Sequence, residues 1–182
     1  MMNLEIAAAI VGLALGLPAV LLYNRLIAAR NQARQAFADI DVQLKRRADL
    51  VPRLVEAVRG YASYEKAVLT SVTELRSAAL GASHPAERFS REIDLGSELR
   101  KLVMLQESYP QLKADANFRD LSAKLVETEN QLQFARRFYN GAVKEYVTRL
   151  ESFPDVIVAK LLAFKPMPFF ESDVRGTVRV TL

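Results

Sequence analysis

Two carboxylates, Glu65 and Glu129, stand at inward positions of helical patterns, and any catalysis would have to start from them. Glu65 falls between Val58/Ala62 and Leu69/Val72, and Glu129 sits beside a long apolar stripe. Inward carboxylates suit general acid–base work or a metal ion. Nothing at ligand spacing completes either arrangement. The chain has one histidine, His84, in the breaker-rich loop Gly81-Ala82-Ser83-His84-Pro85, which reads as solvated, and it has no cysteine. No Ser or Thr stands beside a base. The same helices instead carry cations, Arg46, Arg47, Arg136 and Arg137, with Asn130, Tyr139 and Asn140 close by. Arginine binds carboxylates bidentately, and a buried charge is tolerated when paired and hydrogen-bonded. The set therefore reads first as a structural ion-pair and hydrogen-bond network that fixes helix register. A metal or catalytic centre and a partner-binding pocket are the lesser readings. No catalytic, metal or cofactor-binding residue is assigned.

These side chains need long helices to position them. Apolar residues recur at Phe118, Leu121, Leu125, Leu132, Ala135, Tyr139, Ala142, Tyr146 and Leu150, which predicts one helix from Asn117 to Phe153. A stripe of that length must be covered by equally long partners. Leu26, Ile27, Phe37, Ile40 and Leu44 predict a first helix, and Asp49-Leu50-Val51-Pro52 interrupts it, because proline disfavours helix at the residue before it. A second helix then runs to about Leu80, and a third from after the 81–85 loop to about Ser108, ended by Tyr109-Pro110. Four helices on short connections make an antiparallel bundle.

The N-terminal stretch differs in kind. From Ile6 to Asn24 no residue is charged, and 19 residues of helix span about 28 Å, the thickness of a bilayer core. The preceding residues lack a positive segment, so an uncleaved signal anchor is expected rather than a leader peptide. Ala8, Gly12 and Gly16 set a small-xxx-small face for helix packing in lipid, and Pro18 is expected to kink the span. Tyr23 with Arg25, Arg30 and Arg34 marks the headgroup level, and the positive flank places the N-terminus outside and the rest in the cytoplasm. Residues 24–60 hold eight Arg or Lys against four acids, which accounts for the whole formal charge of +4. A basic zone after an apolar segment points to anionic headgroups; no nucleic-acid-binding pattern accompanies it.

Past residue 154 the pattern changes again. Asp155 to Phe164 reads as a short apolar helix and Lys165-Pro166-Met167-Pro168-Phe169-Phe170 as an extended linker. Phe164, Phe169 and Phe170, with Lys160 and Lys165, read as packing on the bundle end before membrane insertion. Val174, Val178, Val180 and Leu182 alternate with Arg and Thr, a β-strand signature that would pair with another copy. The expected organisation is all-α: an anchor over 1–24, an antiparallel four-helix bundle over 25–154, and a tail with an extended β segment over 155–182.

Several of these segments carry a family likeness. Tyr23-Asn24, Ile40 through Pro52, Thr128-Glu129-Asn130, Arg136-Arg137, Tyr139-Asn140, Tyr109-Pro110-Gln111-Leu112-Lys113, Phe153-Pro154 and Phe164-Lys165-Pro166 resemble the LemA family. The likeness covers about residues 22–171. Phe37, Arg53, Val147 and Ala163 depart from it, with Gly expected at the last. The resemblance implies a bacterial inner-membrane protein with one N-terminal span and a cytoplasmic helical domain. It also implies a role in envelope maintenance, with a membrane protease or envelope protein as an expected partner; the small-residue face and the alternating tail add further copies of the chain, and the residues themselves point to no enzyme.

Overall fold

The structure, a computed structural model, describes residues 2–61, 65–82 and 85–170, the side chains of 2–5, 7–15, 85 and 86 excepted. The described residues form helices and loops, with no strand among them. The order is α1 Met2–Arg59, α2 Lys66–Gly81, α3 Pro85–Met104, a 3₁₀ turn Leu105–Glu107, α4 Pro110–Ala114, α5 Ala116–Glu151 and α6 Asp155–Leu161. The two longest helices each contribute to two compact units. The first unit holds the residues up to Asp39 together with Ala135–Phe169, and the second holds Ile40–Phe134 with Phe170.

The larger core belongs to the second unit. There Leu50, Val51, Leu54, Val55 and Val58 of α1 cluster with Leu69 and Val72 of α2 and Leu95, Leu99 and Leu102 of α3. Leu112 of α4 and Phe118, Leu121 and Leu125 of α5 complete it. Each such side chain removed from water stabilises by about 1.5–3 kcal/mol, which no single helix here could gain alone. α1 and α5 run antiparallel in this unit, since Arg47 meets Glu129 while Tyr61, further along α1, meets Asp115, earlier on α5.

The expected break at Pro52 does not occur. α1 continues through it, and the chain turns instead at Gly60 and Tyr61, whose amide donates to the Val58 carbonyl at 3.0 Å. Proline has no N–H, so within a helix it strands the carbonyl four residues back. Here that is the Ala48 carbonyl, and Arg76 Nε of α2 donates to it at 2.7 Å. Burial of Leu50, Val51, Leu54 and Val55 on either side of the proline holds the helix together.

α5 starts on an N-cap. Asp115 Oδ1 accepts from the Phe118 amide at 2.7 Å, and Oδ2 accepts from the Tyr61 hydroxyl at 2.9 Å. The Phe118 amide first and the Tyr61 hydroxyl second hold the Asp115 carboxyl below its ordinary pKa. A group depressed on folding adds stability above its unfolded-state value and loses it as the pH falls through the folded one. Asp115→Asn is therefore expected to lower the unfolding midpoint at neutral pH. The gap should close as the pH drops below about 4 in paired thermal melts.

The first unit is smaller. Leu26 of α1 packs with Val158 and Ala159 of α6, with Leu22, Leu150 and Phe164 against them. α1 supplies small buried residues (Ala29, Ala33, Ala36) and α5 bulky ones (Tyr139, Val143, Tyr146). Phe37 meets Tyr139 edge-on, while Leu26, earlier on α1, packs near Leu150, later on α5, so the two helices are antiparallel here as well.

α6 closes in a Schellman arrangement, with the Phe164 amide on the Ala159 carbonyl at 2.9 Å and the Ala163 amide on the Lys160 carbonyl at 3.3 Å. That motif puts Ala163 at φ 52°, the left-handed region. A Cβ is penalised there by about 1–2 kcal/mol. Ala163→Gly is expected to recover about 1 kcal/mol, seen as a rise in the unfolding midpoint.

Candidate functional site

Arg47 lies on α1 one turn after Leu44, one turn before Val51 and two before Leu54, so it is carried into the second unit's core, where its side chain is 1% exposed. Its guanidinium reaches two helices. One nitrogen, Nη1, donates to Glu129 Oε1 of α5 at 2.8 Å. The other, Nη2, donates to the Glu92 carbonyl of α3 at 2.7 Å and to the Glu92 carboxylate. Glu92 is 2% exposed and Glu129 29% exposed. Burial alone would pull the Arg47 pKa down, but the Glu129 and Glu92 carboxylates together outweigh it and leave it raised. The guanidinium remains charged and links three helices.

The approach of α3 depends on a missing side chain. A Cβ at Gly96 would stand 3.0 Å from Arg47 Nη1. Gly96 is one helical turn beyond Glu92, so the same face of α3 supplies both the carboxylate and the space for the guanidinium.

Several expected residues take other places. Glu65, expected in one network with Glu129, instead precedes α2, and its Oε1 accepts from the Tyr109 hydroxyl at 3.1 Å. Burial first and Glu65 second raise the Tyr109 pKa. Arg46 is exposed and borders a shallow cleft with Asp49, Lys124 and Glu127. Asn130 is exposed and borders a second, more apolar cleft with Val103, Met104 and Val126. Arg136, Arg137, Tyr139 and Asn140 belong to the first unit. Tyr139 is buried there and its hydroxyl donates to the Pro168 carbonyl at 2.6 Å; burial raises its pKa. Arg136 and Asn140 are half-buried and Arg137 is exposed.

Glu92 was not singled out from the sequence, although a signal existed. It sits three residues after Phe89 and three before Leu95, a charge at the spacing of α3's buried stripe. An acid at a core position has to find a cation.

Chemically, the Arg47 cluster holds its carboxylates in charge-assisted hydrogen bonds, which is the arrangement of a structural pin. Among the described residues no group of His, Cys, Asp or Glu could hold a metal ion. His84 and the expected strand residues Val174, Val178, Val180 and Leu182 lie outside the described residues.

The residues expected at the headgroup level lie in the first unit. The Tyr23 ring stands edge-on to Phe164 with centroids 6.1 Å apart, and the Arg30 guanidinium lies 5.2 Å from the Phe164 ring centre. Arg25 and Arg34 are exposed. The three C-terminal phenylalanines do not form one cluster. Phe164 packs in the first unit, Phe170 is buried against Phe89 in the second with ring centroids 3.9 Å apart, and Phe169 is exposed. Among the described residues no helix is long and apolar enough to cross a membrane. Much of the expected anchor, Ala8 and Gly12 included, lies where side chains are outside the described residues. Gly16 is exposed, with open space where a Cβ would be.

The model of the LemA family matches residues 36–181. The chain is 25% identical to Protein LemA of Metamycoplasma hominis, over 82% of this chain and 69% of that one. It is 19% identical to Magnetosome protein MamQ 2 of Paramagnetospirillum magneticum, over 85% of this chain and 66% of the relative. With Magnetosome protein MamQ of Magnetospirillum gryphiswaldense the identity is 18% over the same shares. The chain thus spans about two thirds of the length of these relatives, and none of them is named for a reaction.

Proposed function

This chain belongs to the LemA family, and on that premise we propose that it is a non-enzymatic helical scaffold of the bacterial inner membrane. Residues 6–24 anchor it as a single pass with the N-terminus outside, the helical units stand in the cytoplasm, and copies associate to organise or maintain the envelope. The observation that carries this reading is the continuity of α1. The uncharged stretch and the buried Leu26, Ala29 and Ala33 share one unbroken helix, Met2–Arg59. Whatever holds the first part of that helix holds the folded part with it. The basic residues Arg25, Arg30 and Arg34 follow the uncharged stretch directly, as anionic headgroups favour. That relatives are named for a cellular structure, the magnetosome, rather than for a reaction favours a scaffold over an enzyme.

The absence of cysteine makes topology directly testable. Asn3→Cys should react with a membrane-impermeant maleimide in intact cells, and Ser108→Cys only after permeabilisation. The reverse pattern, or recovery of the protein in the soluble fraction, would overturn the anchor. Self-association predicts a large particle by light scattering in mild detergent, made smaller by deleting residues 172–182.

A second reading is an adaptor that presents its helices to a membrane protease or another envelope protein. It draws on the cleft between α3 and α5, where Met104 and Val126 are exposed beside Leu99, Val103 and Leu125. A monomer in detergent with a stoichiometric crosslinked partner would favour it.

A further inference from the structure

A groove of about 640 Å³ opens in the first unit between α1, α5 and the linker after α6. Its wall includes Arg30 and Arg34 of α1, Lys165 of the linker, Tyr23, Tyr146 and Phe164. Among the described residues three cations line it and no carboxylate does. Among the described residues none of the three is in a salt bridge, and the buried Arg30 Nε has no hydrogen-bond partner. Cations gathered along one groove repel one another, so an arrangement of this kind is stabilised by an anion.

Arg30 and the linker that carries Lys165 are held rather than loose. The Arg30 guanidinium lies 5.2 Å from the Phe164 ring centre, and Phe164 is braced edge-on by Tyr23. A guanidinium beside an aromatic ring keeps N–H donors that an anion's oxygens can take. The Tyr146 hydroxyl donates to the Lys165 carbonyl at 3.0 Å, which ties the linker to α5 beside the two arginines. Burial raises the Tyr146 pKa, while Arg30 and Arg34 act to lower it, as cations close to that phenol must.

We propose that this groove binds a phosphate group bearing an organic substituent, with Arg30, Arg34 and Lys165 on the phosphate and Phe164 with its apolar neighbours on the substituent. Arginine forks match tetrahedral phosphate oxygens, and the groove is far larger than one phosphate ion needs. The phosphate belongs either to a phospholipid headgroup or to a soluble organic phosphate. Tyr23 closes the uncharged stretch, which sets the groove at headgroup depth if that stretch is embedded. The headgroup source rests on the anchoring reading above; the phosphate chemistry does not.

The test is calorimetric titration of the full chain in dodecyl maltoside with two probes, dihexanoyl phosphatidylglycerol and glycerol 3-phosphate. Each charge-assisted contact is worth about tenfold in affinity. Arg30→Gln/Arg34→Gln should therefore weaken binding about a hundredfold. Lys144→Gln, which removes an exposed charge outside the groove, should leave binding unchanged. If the double variant melts early, Lys165→Gln alone, on the linker, should still weaken binding about tenfold. Binding of the lipid alone assigns the headgroup source, and comparable binding of glycerol 3-phosphate assigns the soluble one. Failure of both probes to bind, or equal weakening by Lys144→Gln, overturns the proposal. The maleimide labelling stands apart from these titrations, so the groove and the anchor can fail separately.

Discussion

Arg47→Met is expected to destabilise the second unit by about 3–5 kcal/mol, the cost of leaving a buried charge without its partner. Glu92 is the residue left exposed to that cost. It is 2% exposed, and Arg47 is its cation. Glu129, at 29% exposed, can turn toward water and suffers less. The companion variant separates a register pin from mere packing. Arg47→Met combined with Glu92→Leu removes both charges, and an ion pair replaced by apolar groups of similar volume is often neutral. The double variant should therefore be more stable than Arg47→Met alone, a coupling that urea unfolding followed by circular dichroism would resolve. Should Arg47→Met cost less than about 1 kcal/mol, the pair would behave like a surface salt bridge, and the pin would have to be abandoned.

Gly96→Ala should run against the usual sign. Glycine inside a helix is ordinarily worse than alanine by about 0.5–1 kcal/mol, so filling it normally helps. At Gly96 the new methyl would meet Arg47 Nη1 at 3.0 Å. A free arginine would swing away, but this one is held by Glu92 and Glu129. Overpacking a fixed neighbour costs about 1–3 kcal/mol, and that is the loss expected here. Gly141 of α5 is the control: it is exposed, and nothing lies within 4 Å of its added Cβ. Gly141→Ala should stabilise by about 0.5–1 kcal/mol. In an Arg47→Met background, where a flexible thioether replaces the pinned guanidinium, the Gly96→Ala penalty should largely disappear. A penalty that persisted there would trace to the backbone of α3 instead of to Arg47.

The two variants also show why half of the site was hidden. Arg47 and Glu129 stood out because each is a charge beside a buried stripe within its own helix. Glu92 has the same local signature, but its pairing with Arg47 depends on the register of α3 against α1. Gly96 looks like an ordinary weak point in a helix until the guanidinium beside it is seen. Glu65 was drawn toward Glu129 by its position among Val58, Leu69 and Val72, yet the chain turns at Gly60, which sends Glu65 to Tyr109.

What the sequence determined by itself was local. The helical class of the described residues, the end of α2 at Gly81 and the extent of α5 follow from apolar spacing and from breakers, which act within a turn or two; α3 ends earlier than its pattern predicts, at Met104, and Pro110 opens α4. Membership of the LemA family was legible in the same way, from short runs of residues. The tertiary structure decided everything that needed a distant partner. Pro52 remains inside α1 because Arg76, in another helix, satisfies the Ala48 carbonyl that the proline leaves open. Ala163 occupies a glycine's conformation because the turn after α6 requires it there. The expected network of arginines, acids and amides is divided between two units because α1 and α5 pass through both. Helix formation is a matter of neighbours in the chain, whereas a buried charge or a stranded carbonyl is answered only by whatever the fold brings to it.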